Sequence, residues 1–451
     1  GRQQLILELY NRFFQRAFPL MTQKLGIVYT PIEVVDFIIN SVENVMQNEF
    51  SSSLGEKNVH ILEPFVGTGT FISRLLQSGI MSKEQLRRKY KSEIHANEIV
   101  LLAYYIACIN IEAVYDDLLK EEEYQSFDGI VLTDTFHLYE QERDMIANLL
   151  PDNSQRRTNQ KSKNINVIIG NPPYSSGQNS ANDGAQNISY KNLDESISKT
   201  YVKLSKATLK TSLYDSYIRA FRWATDRLGE EGVIGFVTNG GWLDGNSLDG
   251  FRKSLSEEFS KIYLFNLRGN ARTSGELRRK EKGNVFGSDT RTPIVITILI
   301  KNKNHSGNSE IYLHNIGDYL SKEEKLAIVN QYKNIYQMEE KNKFKLIIPD
   351  SENDWINQGD KRFNKFTLLG NKKNLNEKAI FEIYSSGVKT NRDAWAYNFN
   401  SEKLSENMEK LISNYNNEVG NHLKNPDHIA SKDSRYINWD GTLENDYKKN
   451  K

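Results

Sequence analysis

Cysteine is nearly absent. The single Cys108 among 451 residues allows no internal disulfide and no multi-cysteine zinc site, so a reducing cytosol is the expected compartment and no metal centre is expected. Cys108 lies in the apolar run 101–115, which suits a small buried hydrophobe better than a nucleophile. No stretch reaches the roughly 18 uninterrupted apolar residues of a membrane span, and the N-terminus lacks the apolar core of a signal peptide. Excess charge is missing too: 59 Lys+Arg stand against 58 Asp+Glu, a net +1, a balance that taken alone speaks against a nucleic-acid partner. There is no Gly-x-x-x-x-Gly-Lys-[Ser/Thr] phosphate loop, no third glycine of a dinucleotide fingerprint, and no Glu-x-Lys strand after Pro349-Asp350. Neither an ATPase nor a nuclease site is therefore legible.

What is present describes a soluble globular chain, 38% hydrophobic and 26% charged, long enough for about two or three domains. Residues 1–24 read as a helix resembling the end of a longer linker. At Tyr29-Thr30-Pro31-Ile32-Glu33 a helix should start, with Thr30 as cap, Pro31 in the first turn and Glu33 completing a capping box. Val34, Val35, Ile38, Ile39 and Val42 then recur at helical spacing. From residue 59 short apolar strands (59–62, 93–96, 129–132, 166–169, 233–237, 261–267 and 293–301) alternate with helices over 69–78, 98–114, 137–149, 212–228 and 247–259. This pattern predicts a doubly wound, Rossmann-like α/β sheet with ligands beyond its carboxyl strand ends. The last two strands follow each other without a helix, which predicts an antiparallel hairpin at a sheet edge. Residues 175–211, rich in Ser, Asn and Lys, read as a long functional loop. Residues 268–292 read as a Gly- and Arg-rich connection. Over 261–291 eight basic residues face three acidic ones, a local excess of five in a chain whose total is one.

Four motifs carry chemistry, each at a strand's carboxyl end. Asn171-Pro172-Pro173-Tyr174 follows the strand Val167–Gly170. Two prolines fix the backbone and remove two donors, so the Asn171 side-chain oxygen and the Pro172 carbonyl can accept both hydrogens of a planar amine. Such an amine is a poor nucleophile, and two acceptors stabilise the positive charge that grows on it during attack. Tyr174 would stack on the ring that bears it. Glu63-Pro64-Phe65-Val66-Gly67-Thr68-Gly69 turns from a strand into a helix; Gly67 and Gly69 let the backbone approach a ligand, and Glu63 can accept from an ammonium group. Glu98 ends the next strand and suits two ribose hydroxyls. Asp134 ends the following one and suits an adenine amine.

Motifs of these types in this order resemble the gamma group of amino-methyltransferases acting on DNA adenine. That resemblance implies S-adenosylmethionine as cofactor, with Thr30 at its methionine end, Glu63, Pro64 and the glycine turn at its centre, Glu98 at its ribose and Asp134 at its adenine. It also implies Phe286, in Asn284-Val285-Phe286-Gly287, as a second ring sandwiching a flipped-out base with Tyr174. A narrower resemblance rests on Asp354-Trp355, on Tyr384–Trp395 and on Tyr397-Asn398-Phe399, which look like the Type ISP restriction–modification enzymes. It implies a prokaryotic cytosol as compartment. It also implies a coupler end over 1–24, an N6-adenine methyltransferase domain over 25–335 and the start of a target-recognition domain over 336–451. Nuclease and ATPase/helicase-like parts would then belong to the same full-length polypeptide. The partner is expected to be double-stranded DNA, met by Arg268, Arg272, Arg278, Arg279, Lys280, Lys389 and Arg392. Two other readings stay open: an amino-methyltransferase acting on RNA or a protein amide, and a DNA-binding specificity subunit with a vestigial transferase fold.

Overall fold

Continuous apolar runs such as Val167-Ile168-Ile169 and Val233-Ile234 have no polar face to offer solvent, so their strands must be covered on both sides. In the computed structural model they are. The structure describes residues 30–120, 123–140, 150–174, 190–287, 290–360 and most of 362–449. The expected helix over 1–24, the 141–149 part of the expected helix 137–149, the 175–189 part of the expected loop and Lys389 lie outside the described residues. Two compact units are present.

The first unit holds a nine-stranded sheet in the order β3-β2-β1-β4-β5-β7-β6-β8-β9. Its parallel half consists of β1 His60–Glu63, β2 Ile94–Glu98, β3 Ile130–Leu132, β4 Ile165–Gly170 and β5 Gly232–Asn239. β2 and β4 flank β1 on opposite sides, so the chain reverses direction across the sheet there; this is the topological switch point where doubly wound sheets open a crevice. The hairpin partners β6 Lys261–Arg268 and β7 Ile294–Lys301 pair antiparallel, and β7 also pairs antiparallel with β5. The sheet does not stop at this hairpin. β8 Glu310–Asn315 adds parallel to β6, and β9 Lys345–Ile347 adds antiparallel to β8. The hairpin is therefore internal, because its outer strand still offers unpaired backbone groups that two short strands satisfy.

Helix Ile32–Phe50 buries Val34, Val35, Ile38, Ile39 and Val42, the residues whose spacing predicted it. The predicted capping box does not form: Pro31 is the cap residue and no side chain caps the helix, because the Thr30 hydroxyl has a partner elsewhere. The polar stretch 191–202, expected to be loop, is helical. So is Gly275–Glu281 within the Arg-rich connection. The unit extends past the expected boundary at 335, through Gln358. β9 belongs to its sheet, and Trp355 is buried edge-on to Trp242 with ring centroids 5.6 Å apart.

In the second unit, helices Ser401–Lys424 and Gly441–Lys448 bring Leu411, Tyr415, Val419, Trp439 and Tyr447 into a small core. Trp439 Nε1 donates to the Ser431 carbonyl at 2.8 Å. No helix among the described residues is long and apolar enough to cross a membrane.

Candidate functional site

Three strand ends meet at the switch point. Glu63, the last residue of β1, is 2% exposed. Its Oε2 has no hydrogen-bond partner among the described residues. Burial holds its carboxyl well above the usual carboxylate range; the Ile72 N–H opposes the shift and the nearby Glu98 charge adds to it. Gly170, at the end of β4, lies beside it: a Cβ built there would be 3.7 Å from Glu63 Cγ. Between β1 and the next helix Gly67 and Gly69 take φ of +54° and +83°, where a side chain would strain the backbone. A Cβ at Gly67 would meet nothing within 4 Å, whereas one at Gly69 would press on Ile111 at 3.1 Å. The first glycine thus borders open space and the second packs the turn onto helix Leu101–Leu119.

Glu98, ending β2, ties down that turn. Its Oε2 accepts from Gly67 N and its Oε1 from Val100 N, both at 2.8 Å. Burial pushes its carboxyl up to about 7, against the pull of the Val100, Gly67 and Ile99 N–H groups. Asp134, just past β3, accepts from Phe136 N at 2.9 Å and from the Tyr190 hydroxyl at 2.8 Å. Tyr190 was not foreseen. It follows a polar stretch that carries no local signal, and only the fold brings it to Asp134. Thr135 Oγ1 donates to the Pro64 carbonyl, which joins the β1 and β3 ends.

Asn171 directly follows β4, and its Nδ2 donates to Thr30 Oγ1 at 2.9 Å across 141 residues. This bond explains the missing helix cap, and it orients the amide: the nitrogen is committed to Thr30, so the oxygen is the end turned toward any other donor. The Tyr174 hydroxyl donates to the Val237 carbonyl at 3.3 Å. Its ring meets Phe286 edge-on, centroids 5.8 Å apart and planes at 85°. The two residues expected to flank a flipped-out base are thus direct neighbours. Two rings in edge-to-face contact leave no slot for a third, and Phe286 is buried, its N–H donating to Asn284 Oδ1 at 2.9 Å.

The basic residues are unequal. Arg268 pairs with Glu281 at 2.9 Å and with Asp318. Arg279 pairs with Glu276 at 3.3 Å and Lys280 with Asp318 at 3.8 Å. In the second unit Arg392 donates to the Thr390 carbonyl at 3.2 Å. Arg272 is exposed on the connection. Cys108 is half-buried, and burial first, with Glu112 adding, pushes its thiol up to about 11, far from a reactive thiolate.

Comparison with known proteins shows what the chain resembles. Residues 73–272 match the family model of the Eco57I restriction-modification methylase, and residues 379–451 that of the Type ISP C-terminal specificity domain. Two solved structures superpose on the whole chain: the ATP-dependent Type ISP restriction-modification enzyme LlaBIII bound to DNA (42% identical, TM-score 0.87) and a nuclease-deletion mutant of the Type ISP restriction-modification enzyme LlaGI in complex with a DNA substrate mimic (44%, 0.85). Over its whole length the chain is similar to Type ISP restriction-modification enzymes. A third structure, the DrdV–DNA complex, also covers the whole chain at 34% identity and a TM-score of 0.84. The chain spans 30%, 36% and 44% of the length of these three. No curated protein matches the sequence. The matched regions are thus a methylase region that includes part of the Rossmann-like sheet, followed by a specificity region.

Proposed function

We propose that the chain transfers a methyl group from S-adenosylmethionine to the N6 amine of an adenine flipped out of duplex DNA. The observation that carries this reading is the Asn171 amide, placed at the carboxyl end of β4 beside the Glu63 crevice and oriented by Thr30.

The crevice residues fit a cationic nucleoside cofactor. Glu63 Oε2 is a buried acceptor without a partner among the described residues, and a buried carboxylate is costly until a cation or a donor meets it. Gly67, in the turn that follows Glu63, borders open space. Glu98 keeps acceptor capacity for ribose hydroxyls beyond its two backbone bonds, and Asp134 for an adenine amine beyond its own two. S-adenosylmethionine would supply an electrophilic methyl group. The chain's own part is to hold the target amine. Asn171 Oδ1 and the Pro172 carbonyl accept its two hydrogens, Pro173 keeps the turn rigid, and Tyr174 supports the ring. As the amine attacks, positive charge grows on nitrogen, and the two acceptors bind that state more tightly than the planar amine. An amine in a stacked base pair cannot reach the β4 end, so the base must leave the helix.

Incubation with methyl-labelled cofactor and equal amounts of duplex DNA, RNA and protein tests the reading. Label in N6-methyladenine of DNA is expected. Label in RNA or in a protein amide would move the same acceptor pair to another substrate.

A further inference from the structure

The connection between β6 and β7, with the first and last residues of β6, carries eight basic side chains, and the structure sorts them. Lys261 pairs with Glu49 at 2.7 Å, Lys282 with Glu324 at 4.0 Å, and Arg268, Arg279 and Lys280 with the carboxylates already named. Arg272, Arg278 and Arg291 pair with no carboxylate among the described residues. Two of these three line one cavity of about 390 Å³, together with Ala271, Asn284, Gly287 and Thr290.

The cavity is braced. Arg278 Nη1 donates to the Lys282 carbonyl at 2.7 Å, which anchors the guanidinium by one corner and leaves its other N–H groups for a ligand. Ala271 N donates to the Arg291 carbonyl at 2.9 Å and so joins two walls. Asn284 Nδ2 donates to the Gly269 and Thr292 carbonyls at 3.1 and 2.8 Å, while its Oδ1 accepts from Phe286 N. The residue that shapes the cavity thus also sets the backbone of Phe286. Thr290 is 6% exposed, and its Oγ1 has no hydrogen-bond partner among the described residues. Buried hydroxyls are nearly always satisfied, so an orphan in a cavity wall marks a place for a ligand. A Cβ at Gly287 would stand 3.8 Å from Lys322 Nζ, which brings a further cation to the rim.

We infer that this cavity seats a phosphodiester of the DNA backbone beside the target nucleotide. The inference rests on the DNA reading above and assigns Thr290 and Arg291 to it. Two guanidinium forks match paired phosphate oxygens, a hydroxyl supplies a further donor, and no carboxylate of the described residues lines the space. The volume exceeds that of a single phosphate group, so the flanking sugar can enter with it. Coupling through Asn284 would tie backbone binding to the backbone that carries Phe286, where Tyr174 and Phe286 must part to admit a base.

The test is a fluorescence-anisotropy titration of duplex DNA over a salt series. Wild type is compared with Arg291→Gln, Thr290→Val and, as a charge control, Lys303→Gln, whose lysine pairs with Glu231 at 3.1 Å. Arg291 is exposed, so its replacement leaves the fold intact. We expect Arg291→Gln to weaken binding about tenfold near 0.1 M salt and to lower the log–log salt slope by about one. Thr290→Val should weaken binding about threefold with an unchanged slope, and Lys303→Gln should match wild type. A duplex with one neutral methylphosphonate, scanned through the site, should show one position where wild type loses affinity and Arg291→Gln loses nothing more. Equal losses in Arg291→Gln and Lys303→Gln would overturn the cavity assignment and leave the DNA reading standing. A wild-type protein that binds no duplex would overturn both. Tight binding of inorganic phosphate alone, unaffected by duplex DNA, would make the site one for a free anion and overturn the phosphodiester.

Discussion

At the carboxyl ends of β1 and β2, Glu63 and Glu98 are buried with no cation paired to either among the described residues. Along β6 and its connection to β7, five of eight basic side chains already hold carboxylates. A buried charge without a partner destabilises the empty protein and is relieved when a ligand supplies a donor or a cation. A surface ion pair is worth about 0–1 kcal/mol and must be exchanged before its cation can serve a phosphate. The crevice therefore keeps its acceptors for a ligand, whereas most of the basic segment spends its charge internally. The net +1 of the chain hides both facts. The local excess of five, read from sequence as a DNA-facing patch, overstates the cations without partners.

The largest effect expected belongs to Asn171. Asn171→Ala removes an acceptor that matters most in the transition state, so methyl transfer should fall by about 10²–10³-fold. Cofactor affinity by calorimetry should stay within about threefold. Loss of cofactor binding instead would place Asn171 in the crevice's cofactor half and dissolve its separate role.

Glu98 comes next. Glu98→Gln removes a charged acceptor, which should weaken cofactor binding about 10–100-fold. Its pKa near 7 adds a signature with two signs. The ionised form is the better acceptor, so cofactor affinity should rise with pH through 7, and Glu98→Gln should flatten that dependence. In the unliganded protein the sign reverses. The carboxyl is ordinary, near 4.5, when unfolded, so its penalty is absent below that pH, grows toward 7 and is complete above it. The unliganded protein's unfolding midpoint should carry a component that falls between pH 5 and 8 while cofactor affinity rises.

Thr30 separates local from long-range reading. Its sequence setting, Thr-Pro-Ile-Glu, is that of a helix cap, and only the fold shows its hydroxyl accepting from Asn171. The strand runs of the parallel half were legible because full burial requires continuous apolar residues; β8 and β9 were not, being short and partly exposed at the edge. Helix Pro151–Lys161, almost wholly polar with Asn153 and Gln160 buried, left no periodicity to find. The carboxylates at strand ends were legible as positions; Tyr190 on Asp134 and the Arg268–Asp318 pair were not, since each joins residues whose separation follows no local rule. Thr30→Val keeps the shape and removes the acceptor. Methyl transfer should fall about 5–10-fold, as for one hydrogen bond of roughly 1 kcal/mol, and Thr30→Ser should restore it. A drop in cofactor affinity with an unchanged rate would return Thr30 to the cofactor's methionine end, the place its motif implies.

The smallest effect tests the basic segment. Arg279 is 78% exposed and pairs with Glu276 at 3.3 Å, so a phosphate contact would gain only the difference between two surface pairings. Arg279→Gln should change duplex affinity by no more than about twofold and leave the salt slope nearly unaltered, although it removes the same charge as Arg291→Gln. The contrast between these two arginines is the sharpest measure of whether pairing, rather than count, decides which cations meet DNA. If Arg279→Gln lowers the slope by about one, the pairs on this segment are exchanged at no cost, and the whole excess of basic residues again becomes a single interface.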